Sequence, residues 1–200
     1  MLKVLTKSFS LPEIDRREAL RYAGIRNPSL AGEELMQRFD GAISLIDGKI
    51  SARVCYCEVD VKDCDFLGSL DIKKNLRNSQ SVILFAATVG FDVDRLISRY
   101  EILSPATAVL IDAIGSERVE ALCDEFCAKI KEEKRAEGFC LRPRFSAGYG
   151  DLPIKFQRTL FDLLDPCTHI GVTLNDSYLM TPRKSVTAII GVEKTEEFQI

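Results

Sequence analysis

The densest concentration of chemically able side chains lies between Arg142 and Pro153, in the run RPRFSAGYGDLP. Arg144 can hold a carboxylate through two parallel hydrogen bonds. Gly148 and Gly150 let the backbone come close to a ligand. Ser146 and Ala147 keep the turn small, and Tyr149 offers a flat face with a hydroxyl tip. A helix opened by Pro153 would aim further donors at an anion. The same run also reads as a tight turn between a strand and a helix. The residues alone leave both readings open.

Other candidates carry less. His169 is the only histidine and follows Asp165-Pro166-Cys167-Thr168 in what reads as a helix-ending turn. No nucleophile-elbow pattern accompanies it, so triad or Cys-His catalysis has no second member. Gly90 stands alone between a strand and a helix, without a phosphate-loop pattern, and reads as a turn glycine at positive φ. The seven cysteines are odd in number and irregular in spacing, which argues for a reducing cytoplasm rather than a disulfide framework. Cys55 and Cys57 would share a strand face and Cys123 and Cys127 a helix face. Cys55-x-Cys57 followed by Cys64 is a metal pattern without its second half, and small buried hydrophobes are the ordinary alternative. With 27 basic and 30 acidic side chains, there is no electrostatic case for nucleic acid or an anionic membrane. No apolar run approaches the roughly twenty residues of a bilayer span. Met1 to Leu11 lacks the features of a signal peptide.

The elements that must position these residues are legible in outline. The 200 residues suit one domain, with 1–48 as a mainly helical N-terminal part. Asp15 to Ala23 reads as a helix ending at Gly24, and Ser29 to Ile46 as a second. Ala52 to Val59 alternates like a strand, and Asp71 to Arg77 reads as a short helix. Ser81 to Thr88 is nearly all apolar, as a central strand would be. Asp92 could cap a helix to Leu103. Ser104-Pro105 starts the longest helix, with Val119, Leu122, Cys123, Phe126, Cys127 and Ile130 as its apolar stripe. Glu120 falls at the edge of that stripe. Phe139 to Phe145 reads as a strand, Pro153 to Leu164 as an amphipathic helix and Val186 to Val192 as a last strand. The elements do not alternate as a doubly wound sheet requires. The expected class is α+β, a largely antiparallel central sheet covered by helices.

Set in that order, the segments resemble a known family. Arg144-Phe-Ser-Ala-Gly148-Tyr149 fits the RxxxGY motif of the activation domain of vitamin B12-dependent methionine synthase. SVILFAATVG (81–90) resembles its central strand, IDAIGSERVEALCDEF (111–126) its long helix and LMTPRKSVTAIIGV (179–192) its closing strand. IDRREALRYAG resembles short stand-alone members. Ala147 and Leu152 stand where short relatives often have proline and tryptophan. An aspartate that the family uses from its N-terminal part has no clear counterpart, Asp15 being a candidate only.

The resemblance implies a site for S-adenosylmethionine made by Glu120, Arg144, Ser146, Ala147, Gly148 and Tyr149. Arg144 would face the ligand carboxylate and Glu120 its positive charge, with Tyr149 against the ligand or the corrin edge. The implied task is reductive remethylation of cob(II)alamin, the cobalamin being carried by the partner. That partner would be a methionine synthase lacking its own activation domain, with a flavodoxin-like electron donor. An activator of another corrinoid methyltransferase and a non-catalytic corrinoid-protein-binding module are the alternatives. Whether such a chain counts as an enzyme or an accessory subunit stays open.

Overall fold

Ser81–Thr88 (β3) is apolar at nearly every position, and such a strand needs cover on both faces. The computed structural model describes residues 2–27, 32–66 and 68–195. In it β3 forms the middle of a five-stranded sheet, flanked by Arg53–Asp60 (β2) and Ser185–Lys194 (β7). Leu5–Ser8 (β1) and Phe139–Leu141 (β4) are the edges, giving the order β1-β2-β3-β7-β4. Each neighbouring pair is antiparallel.

Register sorts the side chains onto two faces. Val54 lies opposite Ala87, Tyr56 opposite Phe85, and Phe85 opposite Ala188. These face a cluster completed by Arg16–Tyr22 (α1), Glu33–Ile46 (α2), Phe91–Leu103 (α4) and Pro105–Ala136 (α5). Cys55, Cys57, Val82, Leu84 and Ile189 point the other way. There they meet Leu70–Asn75 (α3), Phe156–Leu164 (α6) and Pro166–Ile170 (α7). The result is an antiparallel sheet between two helical layers, the expected α+β class. Both faces are dry, which is why β3 carries no polar alternation.

The long helix α5 opens with proline at its start, where a missing N–H costs nothing. Its stripe lies on the sheet as expected: Val119, Leu122, Cys123, Phe126 and Ile130 are buried. The Phe126 ring touches three others, Phe9, Tyr56 and Phe85, at centroid distances of 6.2, 5.1 and 4.8 Å. More than two turns earlier, Glu117 and Arg118 are buried as an ion pair. Arg118 Nη1 and Nη2 donate to the Pro12 and Glu13 carbonyls at 2.6 and 3.1 Å. The Asp15 N–H donates to Glu117 at 3.2 Å. This pair therefore fastens the chain entering α1 onto α5.

Some elements differ from expectation. The N-terminal edge strand β1 and the hairpin of Thr173–Leu174 (β5) and Met180–Thr181 (β6) have no strong sequence pattern. The helix expected from Ser29 is described from Glu33, and Ser29 itself lies outside the described residues. Asp92 does not cap α4. Gly90 takes that place at φ 93, so the positive φ expected of it holds. The helix expected from Pro153 begins at Phe156, after two residues of turn. His169 sits within α7, its Nδ1 3.4 Å from Thr6 Oγ1. Among the described residues no histidine, cysteine or carboxylate group gathers as a metal site would require.

Candidate functional site

The expected strand from Phe139 to Phe145 breaks after Leu141, and the break builds the site. Leu141 lies opposite Val192. An unbroken ladder would set Phe145 opposite Ala188, but Phe145 is opposite Ile189. One extra residue is thus inserted at Arg142–Arg144, a bulge around Pro143, which has no N–H to give the ladder. The insertion reverses the side-chain phase. Phe145 drops into the α3–α6 layer, and Arg144 points to the opposite layer, against α5.

On α5 two carboxylates await it. Arg144 Nη2 donates to Glu120 Oε2 at 2.6 Å and lies 3.3 Å from Asp124 Oδ1. The guanidinium side chain is 28% exposed and that of Glu120 38%, so the pair sits at a rim rather than in the core. Burial opposes the guanidinium's charge, but Cys123, Glu120 and Asp124 beside it outweigh that and hold it above the ordinary arginine range. Burial also raises the Tyr22 phenol at the end of α1, and the Glu120 and Glu18 charges add to the rise. Tyr22 therefore stands within the field of the same carboxylate. Asp124 was legible in principle, one helical turn beyond Glu120. Tyr22 was not, since nothing local to α1 points across to α5.

Beyond Phe145 the chain turns sharply. The Tyr149 N–H donates to the Ser146 carbonyl at 3.2 Å and the Gly148 N–H to the Leu152 carbonyl at 2.9 Å. Gly148 and Gly150 lie at φ 87 and 54, in the left-handed region that favours glycine. Tyr149 is 70% exposed and leans edge-on against Phe145 at 5.3 Å. Arg144, Ser146, Ala147, Gly148 and Tyr149 thus form one short turn, with Glu120 across from its first member. Arg144 also lines a groove of about 410 Å³ between α5 and the bulge, with Asp124, Lys131 and Pro143.

One expectation needs correction. The N-terminus of α6 does not supply anion donors, because it begins at Phe156 and the Phe156, Gln157 and Arg158 N–H groups already donate to the Pro153, Ile154 and Lys155 carbonyls. Asp15, the N-terminal candidate, caps α1, its Oδ1 accepting the Glu18 N–H at 3.0 Å. A larger cleft of about 710 Å³ lies elsewhere, between Phe9–Ile14 and the end of α2. Its Arg118 already serves two carbonyls and Glu117.

The order of strands, long helix and bulged glycine turn can be set against known proteins. A family model described as "Vitamin B12 dependent methionine synthase, activation domain" matches residues 65–200. The chain belongs to this activation-domain family. The match takes in β3, α5, the bulge, the glycine turn and β7. The elements before residue 65 lie outside that match, and what they share with a solved structure is fold alone. A crystal structure described as the MetH reactivation domain bound to AdoHcy superposes with a TM-score of 0.67 at 16% identity. It covers 98% of this chain, and 80% of that one. No curated protein matches the sequence. Among the described residues no helix is long and apolar enough to cross a membrane.

Proposed function

We propose that this activation domain binds S-adenosylmethionine and supports the reductive remethylation of cob(II)alamin held by a cobalamin-dependent methionine synthase. A flavodoxin-like protein would supply the electron. The observation that carries the reading is the Arg144–Glu120 pair beside the glycine turn. An amino-acid tail presents one carboxylate and one ammonium. A guanidinium and a carboxylate 2.6 Å apart offer the complementary charges at that spacing. Each can exchange its neighbour for a ligand group without leaving a bare charge behind.

The residues at hand suit such a ligand in other ways. The rim position lets a small molecule reach both charges. The positive-φ glycines bring main chain close, and Tyr149 presents an open ring face. The similar fold solved with AdoHcy, the demethylated form of the proposed ligand, supports the same reading. When bound, the sulfonium supplies an electrophilic methyl group, and the domain's own contribution is to hold and orient it. Arg144 would fix the carboxylate, Glu120 would face the positive charge, and Ser146, Ala147 and Gly148 would offer backbone groups.

Calorimetric titration of S-adenosylmethionine into wild type and Arg144→Ala tests this. Wild type is expected to bind. Arg144→Ala is expected to lose about 2 kcal/mol or more, roughly thirtyfold in affinity. Equal affinities would remove the assignment of Arg144. Methylcobalamin formation is the second readout, on a cob(II)alamin-loaded methionine synthase stripped of its activation domain, with reductant and S-adenosylmethionine. A rate no greater with the chain than without it would end the reactivation reading for that partner.

A further inference from the structure

The glycine turn is fastened at both ends, and the second fastening is not local. At its start, Phe145 exchanges two backbone hydrogen bonds with Ile189 of β7, at 2.9 and 2.8 Å. At its end, Asp151 reaches the first turn of α3. Its carboxylate accepts the Ser69 hydroxyl, the Leu70 N–H at 2.7 Å and the Asp71 N–H at 3.2 Å. Asp71 returns the bond, its Oδ2 accepting the Asp151 N–H at 3.1 Å. Two segments about eighty residues apart in the chain thus cap one another.

Fit at this junction is close. A side chain on Gly150 would place its Cβ 2.4 Å from Asp71 Oδ2. Leu152, one residue beyond, is 1% exposed and plugs the α3–α6 layer. The Gly148 N–H in turn bonds the Leu152 carbonyl. Ser146–Gly150 is therefore a five-residue span between two anchors, the sheet and α3.

We infer that Asp151 is a positioning residue, a latch that sets the shape of the glycine turn by tying its far end to α3. The inference rests on the proposed ligand reading for its functional half, and on geometry alone for its structural half. The ligand never needs to touch Asp151. Cutting the latch leaves the far end held only by the buried Leu152 and by the Asp71 bond to the residue-151 N–H, so Gly148 and Tyr149 are held less tightly than now. Binding then has to restore that order, and affinity falls.

Amide hydrogen exchange and calorimetry on wild type, Asp151→Ala and Asp151→Asn separate the two halves. In ligand-free Asp151→Ala, the Leu70, Asp71, Gly148 and Leu152 amides are expected to exchange faster, while β3 and β7 keep wild-type protection. S-adenosylmethionine affinity is expected to fall about tenfold. Asp151→Asn keeps one acceptor oxygen and is expected to recover part of both losses. Unchanged exchange at Leu70, Asp71 and Gly148 overturns the latch. Faster exchange with wild-type affinity overturns the positioning role. A wild type that binds no ligand sinks the proposed function instead, and exchange alone then decides whether Asp151 holds the turn.

Discussion

Arg144 and Asp151 share the glycine turn but meet the solvent differently. The Arg144 guanidinium stays charged at any pH a protein survives, so acid acts through its partners. Asp151 is a carboxylate at the surface whose acidity is set by donors. The Ser69 hydroxyl and then the Leu70 and Asp71 amides hold it below the ordinary aspartate value of 3.8. A depressed folded value means the bonded form contributes stability above the unfolded value, and that contribution fades as pH falls through the folded one. Protection of the Leu70 and Asp71 amides is therefore expected to persist as acid is added through pH 3.8 and to disappear below it. Side-chain carboxyl shifts of Asp151 followed by NMR would check this. A midpoint at or above the ordinary value would show that the three donors do not hold in solution.

Among the elements, α5 carries most of the organisation, since the sheet, α1, α2 and the charged rim all lean on it. Its buried Glu117–Arg118 pair faces the chain entering α1. Arg118→Ala strands a buried carboxylate and two carbonyls together. The expected loss is about 3–5 kcal/mol, seen as a lower urea midpoint, with early exposure of the Pro12–Asp15 segment to protease. Loss of less than about 1 kcal/mol would show that water replaces the guanidinium readily. The elements were legible where the pattern is local. Ser81–Thr88 has the continuous apolar character of a strand covered twice, and Ser104-Pro105 announces a helix start. The stripe from Val119 to Ile130 keeps helical period. The bulge at Pro143 was not legible, because its consequence, the reversed phase of Arg144 and Phe145, depends on β7 lying alongside. The Asp151 link to α3 was hidden for the same reason. The short β5–β6 hairpin has too few residues for an alternation to register.

For the molecule as a whole, the two dry layers decide the fate of its thiols. Burial pushes Cys55 up to about 12, and Cys57 and Cys127 up to about 11. Cys123 is raised further for the same reason. Each is a poor nucleophile at neutral pH, in keeping with small hydrophobes filling space. Cys167 alone among the seven is exposed. In native protein a thiol-reactive dye is expected to label Cys167 first, and Cys55, Cys57 and Cys123 only on unfolding. Mass spectrometry of timed digests would read the order. Fast labelling of Cys55 or Cys123 would mean that the layers open more readily than their packing implies.

The strand order β1-β2-β3-β7-β4 has a further consequence for a chain emerging from the ribosome. β7 is synthesised after β4 yet lies between it and β3. Until β7 appears, β3 offers a bare edge, β4 has no neighbour in the sheet, and the Phe145 anchor of the glycine turn has nothing to hold. A growing polypeptide can assemble its helices early, but the glycine turn can take shape only once β7 slots into the gap.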